Sequence, residues 1–308
     1  MSIDPKIDPK IDPVIDPKID PVIDTICLSG GGIQGISFAG ALNYLHNNNV
    51  INLNNINHWA GTSAGAFISF ILIIGFTPNE FNNFILDFNF AKIEPEINCD
   101  TFFKEYGIDN GEKIVLLLSY FLNFKLKVKD ITFIELFKIT NKKITIIGTN
   151  YTRGAEEAFN YINTPDMSVI KAVRISISIP LIYTPVFYNS CFYVDGALIN
   201  NFPIKYCNQK TTLGIYIKYG KNNKLNSIMD LISCSMAILT DSITEKDLTD
   251  DLQIIKINNY LLSSMNYNLT QEDKQAMINI GEKYAKKYIN KLTNKICSSI
   301  IDNLIATI

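Results

Sequence analysis

Three short stretches hold residues whose types and spacing could carry out chemistry. In Gly61-Thr62-Ser63-Ala64-Gly65 a serine stands among small residues, after the apolar run Ile56 to Ala60 and before Ala66 to Phe76. A G-x-S-x-G sequence between a strand and a helix reads as a nucleophile elbow, a turn so tight that its flanking residues must be small. The hydroxyl then projects from the strand's end, and the next helix aims its N-terminus where negative charge would develop. The same letters also suit a plain turn. Gly30-Gly31-Gly32-Ile33-Gln34-Gly35 is a loop of bare backbone N–H groups at a helix start, suited to an oxyanion or a phosphate. Asp195-Gly196-Ala197 closes the short apolar run Phe192 to Val194. A carboxylate ending a strand there stands at the carboxyl edge of a sheet, where open α/β folds collect their chemistry. Alone, an Asp-Gly pair is an ordinary turn.

Composition restricts the base that could serve the serine. A serine hydroxyl is a weak nucleophile unless a neighbour takes its proton. Hydrolases with an elbow place the acid and then a histidine after the serine. The two histidines are His46 and His58, both before Ser63, so that triad order is excluded. His58 lies in the strand leading to the elbow and is expected to pack or be exposed at the sheet; His46 lies on a helix flank. Either Ser63 is inert or a carboxylate serves it, and Asp195 is the best placed.

The glycine loop also fits G-x-G-x-x-G through Gly30, Gly32 and Gly35. A dinucleotide site needs an acidic residue about 20 positions on, to hold the ribose. Between Asp24 and Glu80 there is none, and the Lys-Ser/Thr ending of a P-loop is absent as well.

The elements that must position these residues follow from hydrophobic period and breakers. Asp24 to Ser29 is a buried strand and Ile36 to His46 a helix, giving strand, glycine loop, helix. Trp59 to Thr77 carries no charge, but its glycines interrupt it and Ala66 to Phe76 is too short for ~30 Å of hydrocarbon, so a buried core helix is expected. Residues 80 to 140 read as helical and irregular, either a cap over the site or plain packing on the sheet. Ile144 to Asn150 is a strand, Tyr151 to Tyr161 a hairpin turning at Arg153-Gly154, and Ser168 to Ser176 a short helix. Leu213 to Ile217 and Leu252 to Ile257 are further strands; Ile228 to Leu239 and Thr270 to Leu292 are helices. Strands alternating with helices argue for α/β layers on a mostly parallel sheet.

In this order the three motifs resemble the patatin-like phospholipase family. Ala172 to Pro180 (A-V-R-I-S-I-S-I-P), with Tyr183 and Pro185, looks like the helix before that family's catalytic aspartate, and Val194 to Pro203 (V-D-G-A-L-I-N-N-F-P) is similar to its aspartate block. Thr149-Asn150 and Gly154 fall where members have a strand and hairpin. The likeness runs roughly from Asp24 to Tyr219 and continues weakly through Ile280-Gly281 and Tyr284. It implies a three-layer α/β/α fold and a serine–aspartate dyad that hydrolyses acyl esters of lipids, phospholipase A- or lysophospholipase-like. Carried over, Ser63 is the nucleophile and Asp195 the general base. Gly30, Gly31, Gly32 and Gly35 form the glycine loop, with the Gly31 and Gly32 N–H groups serving the oxyanion. Gly61, Thr62, Ala64 and Gly65 frame the elbow, and Gly196 and Ala197 complete the aspartate motif. No metal and no cofactor is implied. Where the family usually has a basic residue before the loop's last glycine, this chain has Gln34, which shifts the expected preference toward neutral lipids. Acyl transfer to another acceptor, thioester cleavage, or an inactive membrane-binding relative are the alternatives.

The 308 residues are 47% hydrophobic and 19% charged with net charge -2, a globular composition that gives no reason to expect nucleic acid. Six cysteines without a C-x-x-C pair suggest reduced thiols of an intracellular protein, cytoplasmic or peripheral to membranes. Residues 3 to 22 repeat I-D-P-K or I-D-P-V; a proline every fourth residue excludes helix and central strand, so an extended mobile tail without a secretory core is expected. The expected organisation is this tail over 1–23, a catalytic domain over 24–225, and a mainly helical extension over 226–308 packed on it. Lys283, Lys286, Lys287 and Lys291 cluster on the last helix, either a solvated face or a patch for anionic lipid and so for peripheral membrane contact.

Overall fold

The computed structural model describes residues 23–218, 227–249, 252–259, 261 and 265–306. The Ile-Asp-Pro repeat lies outside them. The chain begins with β1 (Thr25–Leu28), α1 (Ile36–Asn47), β2 (His58–Thr62), α2 (Ala64–Ile73) and α3 (Pro78–Asp87). It continues through α4 (Cys99–Glu105), β3 (Gly107–Asp109), α5 (Glu112–Leu126), α6 (Phe133–Thr140), β4 (Lys143–Asn150), β5 (Ala155–Phe159) and α7 (Val169–Ser176). Then come β6 (Leu181–Tyr183), β7 (Val186–Tyr188), β8 (Cys191–Asp195), β9 (Thr212–Lys218), α8 (Ile228–Asp247), β10 (Gln253–Asn258) and α9 (Gln271–Ala306).

The main sheet runs β10-β9-β1-β2-β4-β8-β7, with β5 on the other edge of β4. β10, β9, β1, β2 and β4 are mutually parallel. A strand buried on both faces is largely apolar, and β1 (T-I-C-L) is so after Thr25, whose hydroxyl donates to the Asp24 carboxylate at 2.7 Å. Helices cover the sheet, with α1 and α9 packed against each other, so the architecture is α/β/α. α2 is apolar all round because it lies in the core; Ala66, Phe70 and Ile71 are fully buried. No described helix is long and apolar enough to cross a membrane.

The segment of residues 80–140 contains helices where they were expected and one element that was not. Thr77 caps α3 with a capping box to Glu80, and Thr132 caps α6 in the same way with Glu135. Between α4 and α5 the three residues of β3 pair with β6 as a separate small parallel sheet. Strands this short leave no period to read in the sequence. The buried guanidinium of Arg174 ties this sheet to α7 by donating to the Asn110 and Thr184 carbonyls at 2.9 and 3.1 Å.

The seam in β4 positions the site. Residues 143–147 of β4 pair with β2, and Gly148 to Asn150 pair with β8 on the same edge, while β5 occupies the other edge. β8 is antiparallel to β4, so it meets β2 end to end: Thr62 stands opposite Ile147 and Asp195 opposite the next residue, Gly148. The sequence places Asp195 at a strand's end on the carboxyl edge of the sheet and carries no mark of the direction of β8, which the structure supplies. β8 descends into that edge from outside, and its last residue faces the residue that follows β2, Ser63.

Candidate active site

Ser63 is the hinge between β2 and α2, with φ 53° and ψ -121°. A side chain held there is strained, by about 1–3 kcal/mol, and persists only where its surroundings dictate it. Two absent side chains permit the turn. A Cβ on Gly61 would collide with the Gly65 backbone, and one on Gly65 with the carbonyl oxygens of Leu28 and Ser29 at the end of β1. Thr62 donates to the Asn200 carbonyl at 2.9 Å, fastening the elbow to the segment after Asp195.

The Ser63 hydroxyl donates to Asp195 Oδ2 at 2.9 Å. The other carboxylate oxygen accepts the Ala197 N–H at 2.8 Å, an N-cap of the one-turn helix Gly196–Leu198. The Asp195 backbone is held as firmly: its N–H donates to the Ser178 carbonyl at 2.8 Å, and its carbonyl accepts the Thr149 hydroxyl at 2.9 Å. Gly196 passes against the Ile147 carbonyl, where a Cβ would not fit. Asp195 is 1% exposed, and burial pushes its carboxyl up to about 7 against the pull of the Ala197 N–H and the Ser63 hydroxyl.

The glycine loop lies beside this pair. The Gly30 N–H donates to the Asn201 carbonyl at 3.0 Å, and a Cβ on Gly30 would stand 3.2 Å from Ser63 Cβ. Ser29 fixes the approach to the loop: its hydroxyl donates to the Gly30 carbonyl at 2.8 Å and accepts the Ile217 N–H at 2.9 Å. Gly30, Gly31 and Gly32 line a small cavity of about 70 Å³, the more polar of the two at the site, together with Ser63, Asp195 and Ala197. Gln34 lines it too, where a basic residue was expected from the family. Gly32, Gly35, Ser63 and Ala64 also border a second, apolar cavity of about 120 Å³, walled by Phe81 and Phe84 of α3, Ile93 and Ile114. The segment of residues 80–140 is therefore a cap over the site on the apolar side. Gly61, Thr62, Gly65 and Gly196 line neither cavity; they shape the chain beneath it.

His58 lies at the start of β2, away from the hydroxyl, with Nε2 3.0 Å from the Thr145 hydroxyl. Burial, then the nearby Lys143, lowers its pKa to about 4. Among the described residues no group of three His, Cys, Asp or Glu side chains converges as a metal site.

Ser176 escaped the sequence reading. Its hydroxyl accepts the Ser63 N–H at 2.9 Å and donates to the Ile147 carbonyl at 2.6 Å, spanning the seam between elbow and β4. The available signal was its place in the S-I-S-I-P run, where two serines interrupt an otherwise apolar helix end. Nothing local says which backbone group each serine serves. Ser233, Met236 and Thr240 of α8, which wall the polar cavity, were equally unreadable, since Ser233, the first of them, lies 170 residues beyond Ser63 (233 − 63).

Residues 26–207 match the Patatin-like phospholipase family. A protein of Invertebrate iridescent virus 6 named probable lipid hydrolase 463L is 32% identical over 270 residues, which cover 85% of this chain and 87% of that protein. The uncharacterized protein YqhO of Bacillus subtilis is 24% identical over 83% of this chain and 94% of its own length. Among solved structures, VipD from Legionella pneumophila superposes with a TM-score of 0.58 at 18% identity, covering 88% of this chain and 67% of VipD. The type III effector ExoU superposes with a TM-score of 0.51 at 15% identity, the match spanning 53% of ExoU. These two share the fold. The match of the family to most of the folded chain, and 32% identity sustained over nearly the full length of a relative, place the chain in the patatin-like phospholipase family.

Proposed function

We propose that the protein is a lipid acyl hydrolase that works through a Ser63 acyl-enzyme with Asp195 as general base. The observation that carries this reading is the 2.9 Å bond between a strained, buried serine hydroxyl and a buried carboxylate where an apolar and a polar cavity meet. The acyl chain enters the apolar cavity, and the alcohol part of the ester lies toward the polar one. Asp195 takes the Ser63 proton as Oγ attacks the acyl carbonyl. The N–H groups of Gly31 and Gly32 receive the oxyanion, an interaction whose loss typically costs ~10²–10³ in rate. Collapse expels the alcohol, which leaves with the proton held by Asp195. Water then gives its proton to Asp195, attacks the acyl-enzyme and frees the fatty acid and Ser63. A carboxyl with its pKa near 7 is a far better base than an ordinary one, and the same group can return the proton at neutral pH.

The test is incubation of pure protein with mixed lipids, with released species identified by mass spectrometry, alongside fluorophosphonate labelling. Ser63→Ala abolishes both labelling and release, and Asp195→Asn abolishes release. Undiminished release by either folded variant refutes the dyad. Product analysis with an added alcohol or a thioester substrate separates hydrolysis from acyl transfer and thioester cleavage.

A further inference from the structure

α8 is a helix turned inside out. At 100° per residue, Ile228, Leu231, Ile238, Leu239 and Ile243 fall in one arc about 140° wide. All five are exposed, from 46% to 64%. Ser235, Ser242 and Ile232 also fall in that arc, Ile232 near its edge and half-buried against the core, and the arc carries no charge up to Ile243. The opposite arc holds Asp230, Ser233, Thr240 and Thr244, each at most 6% exposed. A helix of a soluble protein normally buries its apolar stripe and shows water its polar one. Here the polar arc is accounted for: Ser233, Thr240 and Asp241 wall the cavity that holds Ser63 and Asp195. The helix is anchored by Tyr216, which donates to Asp241, by Lys218, paired with Glu245 at 2.6 Å, and by packing on the turn after Asp195. What the outer arc meets is not part of this chain among the described residues.

We infer that the outer face of α8 is the surface on which the protein docks to a lipid bilayer, with the helix forming the wall between that bilayer and the polar half of the active site. This rests on the reading of Ser63 as a lipid hydrolase nucleophile, since a lipid substrate must leave its aggregate beside the catalytic cavity. Uncharged aliphatic side chains mixed with serines suit insertion at the headgroup boundary, where apolar area decides binding. The other apolar cavity wall points the same way: α5 contributes Ile114 inside the cavity and exposes Leu116, Tyr120 and Phe124 one turn apart outside. The lysines of α9 have no such link to the cavities; they stand on the far side of a helix whose buried face, through Met277 and Ala285, joins the core with α1.

The experiment compares the full chain with Leu231→Glu/Ile238→Glu/Leu239→Glu in sedimentation with phosphatidylcholine vesicles and in turnover of the soluble ester p-nitrophenyl butyrate. The triple variant is expected to lose vesicle binding by about 10-fold or more, given the apolar area withdrawn, while soluble turnover stays within about 2-fold. Ile238→Trp in a Ser63→Ala background adds a readout independent of catalysis, since the single native tryptophan, Trp59, is buried. Its emission shifts to the blue on adding vesicles. Should the triple variant also lose soluble turnover, the tryptophan readout decides. Unchanged vesicle binding by the triple variant, no blue shift, or binding lost instead with Lys283→Glu/Lys286→Glu overturns the inference. So does a wild-type dimer that the triple variant splits while vesicles bind neither. If the wild type binds vesicles through α8 but cleaves no ester, the hydrolase reading fails and the docking surface stands.

Discussion

Replacing Ser176 by alanine removes a single hydroxyl on which the elbow depends. That hydroxyl accepts the Ser63 N–H at 2.9 Å, donates to the Ile147 carbonyl at 2.6 Å, and is fully buried. An alanine methyl offers the Ser63 N–H no acceptor, and a buried donor left unsatisfied costs about 1–3 kcal/mol. At ~2–4 °C per kcal/mol for a folded unit of this size, Tm falls by roughly 2–12 °C. The second consequence is catalytic. Ser63 is strained at φ 53°, and the Ser176 bond is one restraint that keeps it there. Once the elbow relaxes, the hydroxyl leaves reach of Asp195, and with it goes part of a general-base contribution of about 10²–10⁴. With part of that contribution lost, kcat for p-nitrophenyl butyrate is expected to drop ~10-fold or more. KM moves much less, because no cavity wall is touched. Calorimetry and steady-state kinetics on the same preparation measure both. An alanine variant with unchanged Tm and unchanged kcat would refute the reasoning. A lowered Tm with wild-type kcat would confine Ser176 to holding the fold.

Four further outcomes follow from the same geometry. The Asp195 carboxyl, raised to about 7 by burial, must be ionised to act as base, so kcat/KM for a soluble ester rises through a single ionisation near pH 7. A flat profile between pH 5 and 8 contradicts it. The folded protein binds that proton more tightly than the unfolded chain, so the group's stabilising contribution is full below pH ~4 and is lost as pH rises through ~7. Asp195→Asn should therefore gain Tm over wild type at pH 8 and lose that advantage by pH 4; an advantage independent of pH would be the wrong result. Gly30→Ala should keep the fold, since the new methyl displaces chiefly the Asn201 side chain, yet lose at least ~10-fold in kcat because that methyl crowds Ser63 and the oxyanion loop. Ile93→Trp should fill part of the apolar cavity and cut kcat/KM for a dodecanoyl ester by about 10-fold relative to a butyryl ester, measured as a ratio of the two substrates.

Much of the site was legible because its chemistry needs rare local geometry. A serine between glycines at a strand–helix junction, a glycine run after a buried strand, and the absence of any histidine after Ser63 are properties of neighbours along the chain. They singled out Ser63, the loop and Asp195. The direction of β8 was not among them. A five-residue strand carries no mark of whether its partner runs with it or against it, and the antiparallel pairing with β4 brings Asp195 to Ser63 from the opposite side. The three-residue β3 was equally silent, and so were the roles of Ser176 and Thr149, whose partners lie 29 and 46 positions away.

By itself, then, the order of residues determined which groups could react, the layered α/β class, and the exclusion of a triad whose histidine follows the serine, since each depends on residue type and order along the chain. Tertiary structure alone decided that β2 and β8 abut on one edge of β4, that burial raises the Asp195 carboxyl to about 7, and that α8 turns its polar arc to the cavity and its aliphatic arc outward. Those outcomes depend on what each residue meets across the fold: dielectric, hydrogen-bond partners and buried area are set by neighbours that lie far away along the chain.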